Sequence, residues 1–477
     1  MKTGETGRTG EAGGVSRRAI GAIGLLAVLL PVMPVLPVSP ALQAQQLSVP
    51  TDSFTLANGL KVVIHEDHSA PLVAVNVWYH VGSGREVEGR SGFAHLFEHM
   101  LFQGSENVGD DKHFSYIQEA GGTLNGSTNG DRTNYFELLP ANYLEMALWL
   151  ESDRMGWLLP AMTQGKLDNQ RDVVKNERRQ SYENRPYGMA SIRMGELLFP
   201  ADHPYHWPTI GYMEDLSAAS LDDVQGFFRK WYVPNNASLV VAGDVKPAEV
   251  RRLVERYFGP IPKGPQPPPL TPRAAALTAD KREVLEDRVT LAQVSIAWPG
   301  AEAWAKDDAP LDVLANILGQ GKTSRLYQRL VYREQTAQNA SAFSNSRVLA
   351  GTFQVTVQAR DSASLSQMER AVYEEIRRLA TDGPTAEEMA AARNGVEANF
   401  VFRLASVLGK ADQINAYVTN RGKPEAFNED LARYRAVTAD DIRRVAQTYL
   451  VGKPKVVLSV VPNGRKDLAA QPQEVTP

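Results

Sequence analysis

Ser91-Gly-Phe-Ala-His-Leu-Phe-Glu-His-Met-Leu-Phe-Gln-Gly104 sets His95 and His99 four positions apart, with Glu98 three positions after the first histidine. Residues three and four apart share a face of a helix. The run therefore predicts a helix that presents two imidazoles and a carboxylate side by side. Two neutral imidazoles and a carboxylate from elsewhere in the chain suit Zn2+, whose open position holds a water of lowered pKa. Glu98 is then placed to act as the base that takes the water's proton. The chain has only eight histidines, so two at ligand spacing around a glutamate are poorly explained as ordinary polar residues.

Composition narrows the classes. The 477 residues predict two to three domains with ample core, and a net charge of −4 with a pI of about 6.1 gives no reason to expect nucleic acid as a partner. There is no cysteine, which leaves histidines and carboxylates as metal ligands and excludes a thiol nucleophile. Residues 1–44 read as a signal peptide: Arg17 and Arg18 precede an apolar run to about Val38, followed by small residues at Ala41 to Ala44. Pro31, Pro34 and Pro37 break that run, and no later segment predicts a membrane span. A bacterial, exported, periplasmic or secreted protein is expected, whether by a Sec or a twin-arginine signal.

Outward from the motif, Phe54 to His65 carries an Asn-Gly hairpin signal and Leu72 to Tyr79 a strand. His113 to Ala120 predicts a helix stopped by Gly121-Gly122, Arg132 to Leu139 a strand, and Ala141 to Leu158 an amphipathic helix. Leu167 to Tyr187 is a charged helix ending near Pro186. His65, His68 and His80, and the loop histidines His203 and His206, read as structural or surface residues.

The second half repeats the first. Leu221-Asp-Asp-Val-Gln-Gly-Phe-Phe-Arg-Lys-Trp-Tyr-Val233 matches Ala439-Asp-Asp-Ile-Arg-Arg-Val-Ala-Gln-Thr-Tyr-Leu-Val451, 218 positions later, and a strand follows each. Residues 259–272 contain seven prolines and predict a stiff linker. The expected domains are 45–258 and 273–464, with a disordered tail over 465–477. Each predicts an α+β unit with helices over a mostly antiparallel sheet. All histidines lie between 65 and 206, so the duplication did not carry the metal motif. Gly319-Gln-Gly-Lys-Thr-Ser324 lacks the spacing of a phosphate loop.

H-x-x-E-H is the inverzincin signature. With the duplication it resembles the pitrilysin/insulinase zinc metallopeptidases, in particular the processing-peptidase-like bacterial branch. The resemblance implies two homologous domains facing each other across a chamber, and a third zinc ligand on the charged helix. Glu177, after Arg171-Asp-Val-Val-Lys-Asn176, stands at that place, with Glu183 the alternative. It also implies an edge strand beside the metal that pairs with substrate, with Asn125 and Thr128 as substrate-side contacts, and an Arg and a Tyr from the second domain. Arg333 matches the Arg. Asn339 and Ala340 stand where the Tyr is expected, and Gln170 replaces an accessory Glu.

The leading expectation is a zinc endopeptidase acting on peptides or unfolded segments, with His95, His99 and Glu177 as ligands and Glu98 as base. The chain is expected to form a homodimer, or a heterodimer with a related family chain. One alternative is a zinc-bearing subunit whose partner supplies the Arg/Tyr pair. The other is a non-catalytic peptide-binding protein.

Overall fold

The Asn58-Gly59 turn joins β1 (Asp52–Thr55) and β2 (Lys61–Glu66) into the expected antiparallel hairpin. The structure, a computed structural model, describes residues 46–271, 273–361 and 363–472. The expected leader, 1–44, and residues 473–477 lie outside the described residues. The described residues from Leu47 onward form one compact unit.

The first half continues through β3 (Leu72–Tyr79), α1 (Phe93–Met100), α2 (Lys112–Glu119), β4 (Thr123–Thr128) and β5 (Thr133–Pro140). Then come α3 (Leu144–Ala161), α4 (Gln164–Arg178), α5 (Gly188–Leu198), α6 (Met213–Ala218), α7 (Leu221–Trp231), β6 (Ala237–Gly243) and α8 (Pro247–Phe258). Residues 259–271 form no helix or strand and are tied to the first half by bonds from Gly264 N to Asn235 Oδ1 (2.8 Å) and from Arg85 Nη1 to the Pro268 carbonyl (2.7 Å). The second half runs β7 (Lys281–Asp287), β8 (Gln293–Gly300), α9 (Asp308–Gly319), β9 (Ala337–Ser346) and β10 (Gly351–Ala359). It ends with α10 (Leu365–Thr381), α11 (Ala386–Arg403), α12 (Val407–Arg421), α13 (Phe427–Arg435), α14 (Ala439–Val445) and β11 (Val456–Pro462).

The repeat appears in three dimensions as two sheets of matching order, β1-β2-β6-β3-β5-β4 and β7-β11-β8-β10-β9. Each is antiparallel apart from one parallel pair, β2 with β6 and β7 with β11. The repeated helices start alike. Ser220 and Asp223 form a capping box on α7, and Thr438 and Asp441 form another on α14, which satisfies the helix's unpaired first amides.

One face of each sheet packs on its own half's helices, and the other face is covered by a helix from the opposite half. Ala411, Ile414 and Val418 of α12 pack with Val63, Ala74 and Val240 of the first sheet. Reciprocally, Ala190, Met194 and Leu198 of α5 pack with Ala297, Val456 and Leu458 of the second. Burying one large aliphatic side chain is worth about 1.5–3 kcal/mol, so these exchanged helices bind the halves strongly.

Two sequence expectations are corrected. α3 is not a simple amphipathic helix, because Glu151, Ser152, Asp153 and Arg154 are all buried. Arg154 pairs with Glu151 and with Glu137 (3.0 Å), and Asp153 accepts bonds from Ser105 and Asn107, so its charged groups are paired inside the protein. The tail expected to be disordered from 465 instead forms a short turn at Lys466–Leu468, and Ala469 and Ala470 join the second half's core.

Candidate metal centre

The motif helix α1 begins where two chain segments touch. Gly92, at φ 83°, precedes its first residue, and a Cβ there would lie 2.7 Å from the Cα of Gly211, itself at φ 81°. Only glycine gives this left-handed backbone without steric cost and allows so close an approach. Glu86 accepts the amides of Gly92 (2.9 Å) and Ala94 (2.8 Å), which supplies the N-terminal cap. The same contact orients α4, since Arg178 Nη1 donates to the Gly211 carbonyl at 2.8 Å. The end of α4 is thereby fixed beside the start of α1, and Glu177, one residue before Arg178, meets the histidines.

His95, His99 and Glu177 come together with one ligand atom each, all within 4.8 Å of one another. Glu177 Oε2 lies 3.7 Å from His95 Nε2 and 3.3 Å from His99 Nε2. Burial, and then the neighbouring His99, push His95 down to about 4, so it is a neutral imidazole ready to donate a lone pair. The bond to His99 holds the Glu177 carboxyl below its usual range, in the charged form a metal requires. His95 is 12% exposed at its side chain and Glu177 is 41% exposed, so the cluster is rooted in the protein and open on one side. Two imidazole nitrogens and a carboxylate oxygen are the donor set of a zinc site that leaves a fourth position open, and these residues fit that ion.

Glu98 turns from the same helix toward the edge strand β4. Thr128 Oγ1 donates to its Oε2 at 2.7 Å. Burial raises the Glu98 pKa, while the Thr128 bond acts in the opposite direction. The backbone passes so close at Gly126 that a Cβ there would lie 2.9 Å from Glu98 Cγ.

β4 lies at the sheet edge. Asn125 is on it, its Oδ1 accepting the amide of Gly126 at 2.9 Å. Thr128 differs from its expected substrate-side part in that its hydroxyl is occupied with Glu98. Glu183, the alternative ligand, pairs instead with Arg178 (3.1 Å). Arg333 is exposed at the end of the π-helical turn Tyr327–Arg333, and its Nε donates to the Gln328 carbonyl at 3.1 Å. No contact described for it reaches the cluster. Three of the six remaining histidines contact backbone carbonyls: His65 that of Pro50, His203 that of Arg273, and His206 that of Phe199.

Sequence reasoning missed Gly92 with Gly211, the buried group of His113, Glu137, Glu151 and Arg154, and Tyr182. Arg154 lies over the ring of Tyr135 at 4.1 Å, and Tyr135 donates to the Phe97 carbonyl at 3.2 Å, so this group supports α1 from behind. Tyr182, in the turn after Glu177, feels that residue's charge and lines a cavity of about 450 Å3 between α5 and the second sheet. A second cavity, of about 820 Å3, shares Thr209, Asn345 and Arg347 with it. Both are lined from the two halves.

The paired halves and the ligand cluster define the architecture of a two-domain metallopeptidase family. Residues 61–191 match insulinase (peptidase family M16), and residues 218–396 match the peptidase M16 inactive domain. The chain belongs to the M16 peptidase family. It is 28% identical over 415 residues to the zinc protease PqqE of Helicobacter pylori, covering 86% of this chain and 92% of the relative. It is 24% identical to the mitochondrial-processing peptidase subunit beta of Blastocladiella emersonii over 425 residues, covering 87% and 90%. A crystal structure of a protease from Helicobacter pylori superposes with a TM-score of 0.82 at 26% identity, covering 87% of this chain and 100% of that one. A peptidase M16 inactive domain from Pseudomonas fluorescens shares the fold, with a TM-score of 0.77 at 18% identity over 88% and 100%.

Proposed function

We propose that the protein is a zinc-dependent endopeptidase of peptides or unfolded protein segments, carried by the convergence of His95, His99 and Glu177 beside Glu98. Zinc held by these three residues would supply a charge that polarises the scissile carbonyl and acidifies water. Glu98 takes the water's proton on its carboxylate and returns it to the departing amide nitrogen. Thr128 holds Oε2, which leaves Oε1 without a hydrogen bond from that residue. The exposed edge of β4 offers backbone N–H and C=O groups to an extended peptide of almost any sequence. The leader reading places this activity in the periplasm or outside the cell.

The testing experiment uses the mature chain alone: zinc per chain is measured, and a quenched-fluorescent peptide is assayed with and without a chelator. Near one zinc per chain with chelator-sensitive cleavage is expected. No cleavage by the zinc-loaded chain would overturn an autonomous peptidase. That outcome favours the second reading, a subunit that pairs with another copy or a related chain supplying the Arg/Tyr pair. The exposed position of Arg333, with Asn339 and Ala340 in place of a tyrosine, supports that second reading.

A further inference from the structure

The larger cavity gathers basic side chains. Its lining includes Arg85, Arg132 and Arg347, and the Nε of each is buried without a hydrogen-bond partner. Trp78 Nε1 and Ser346 Oγ, on the same wall, are buried and unpartnered too. All five groups can donate. A buried donor without an acceptor is costly, and a guanidinium more so.

Nor is the charge balanced locally. Among the described residues none of the three arginines forms an ion pair. Among the described residues Arg347 makes no side-chain hydrogen bond, and it stacks on the ring of Tyr205 at 3.7 Å. Arg85 spends one arm on the Pro268 carbonyl, and Arg132 one on Ser127 of β4. Asp131 is the carboxylate whose charge reaches all three. It is engaged by the Tyr205 hydroxyl and the Val348 amide rather than by a guanidinium. Arg132 also feels Asp412 and Glu98. Lys61 adds a fourth cation to the lining, against Asp131 and the exposed Glu302. Burial pushes all three guanidinium pKa values down, as expected for cations lacking a counter-charge.

We propose that this cavity is a subsite for acidic side chains of a peptide, with Arg85, Arg132 and Arg347 reading their carboxylates. The assignment of that peptide as substrate rests on the peptidase reading above. Carboxylates supply negative charge where the lining sets four cations, Lys61, Arg85, Arg132 and Arg347, against two carboxylates, Asp131 and Glu302, and a guanidinium fork matches them in two-point geometry. The site is linked to the surroundings of the metal centre in two ways. Arg347 also lines the smaller cavity, which Tyr182 borders near Glu177, and Arg132 bonds the edge strand that would receive the peptide backbone.

The test is a set of quenched-fluorescent peptides sharing one core, with neutral, acidic or basic flanks on either side, cleaved by the zinc-loaded full chain. The acidic peptide is expected to exceed the neutral one about tenfold in kcat/KM, with the advantage shrinking as salt rises. Arg347→Gln and Arg85→Gln should each lower the acidic-to-neutral ratio roughly tenfold, the scale of one charge-assisted hydrogen bond. A wild-type ratio near one, or a ratio unchanged in both variants, would overturn the subsite. A fluorescein-labelled acidic peptide titrated onto the Glu98→Gln chain reads binding without turnover. Salt-sensitive binding there, weakened by Arg347→Gln, upholds the subsite even if no peptide is cleaved, and absence of binding refutes it.

Discussion

Thr128 Oγ1 donates to Glu98 Oε2 across 2.7 Å, tying the sheet's edge strand to the metal-motif helix. The bond fixes the carboxylate's rotamer beside the cluster. Thr128→Val keeps the shape and removes the donor, and a hydrogen bond to a charged group is worth about 1.5–3 kcal/mol. Peptide cleavage is expected to fall roughly tenfold or more, with zinc content unchanged. Glu98→Gln, which removes the base itself, should cost about a hundredfold or more while zinc stays bound. Unchanged turnover in Glu98→Gln would remove Glu98 from the mechanism.

Gly126 has no room to grow. An added methyl would lie 2.9 Å from Glu98 Cγ and 3.2 Å from Phe102 Cε2, so Gly126→Ala must move the base, the ring or the strand. Activity is expected to drop by about tenfold to a hundredfold, since small displacements of a catalytic group are costly. The melting temperature should change little, because β4 is an edge strand. A variant that loses stability but retains its activity per folded molecule would show that the strand yields instead.

Acid should destabilise the protein through its buried neutral histidines. Burial pushes His80 from 6.5 down to about 4, and His113 well below 6.5. The unfolded chain takes up protons that the folded one refuses, so this contribution is fully present above pH 6.5 and is lost as pH falls toward 4. For His80 the loss is roughly 3 kcal/mol by pH 4, at about 1.4 kcal/mol per unit. Urea unfolding at pH 7.5 and 4.5 should show a smaller acid loss in His80→Asn than in the wild type. Equal losses would mean that His80 is protonated in the folded state.

The exchanged helices predict one unfolding transition for both halves. Ile414 of α12 is fully buried against the first sheet, and Ile414→Ala should cost about 2–5 kcal/mol. Calorimetry should show a single peak moved down, and a fragment ending at residue 263 should not fold, because the α12-covered face of its sheet would be bare. Two separate peaks would contradict the interlocked arrangement.

Much of the centre was legible because it is local. His95, Glu98 and His99 are one helical turn, and a turn's geometry follows from spacing alone. The repeat was equally readable, since Ser220 with Asp223 and Thr438 with Asp441 are local capping chemistry repeated in step. The choice of Glu177 over Glu183 came from resemblance. In the fold, the meeting of Gly92 with Gly211 and the Arg178 bond bring Glu177 to the histidines, while Glu183 is held by Arg178. The burial of the polar run Glu151 to Arg154 was not legible in the amphipathic pattern, because its partners, Glu137 and Ser105, lie elsewhere in the chain.

By itself, then, the sequence determined many of the helices and strands and the metal-motif face, set by periodicities of a few residues, and the duplication, set by a match repeated 218 positions on. Tertiary structure alone decided that α5 and α12 cover each other's sheets, that Thr128 serves Glu98, and that three arginines share one cavity. Those contacts join residues up to several hundred positions apart. They arise because each sheet has a second apolar face that its own half leaves uncovered, and only chain packing selects what covers it.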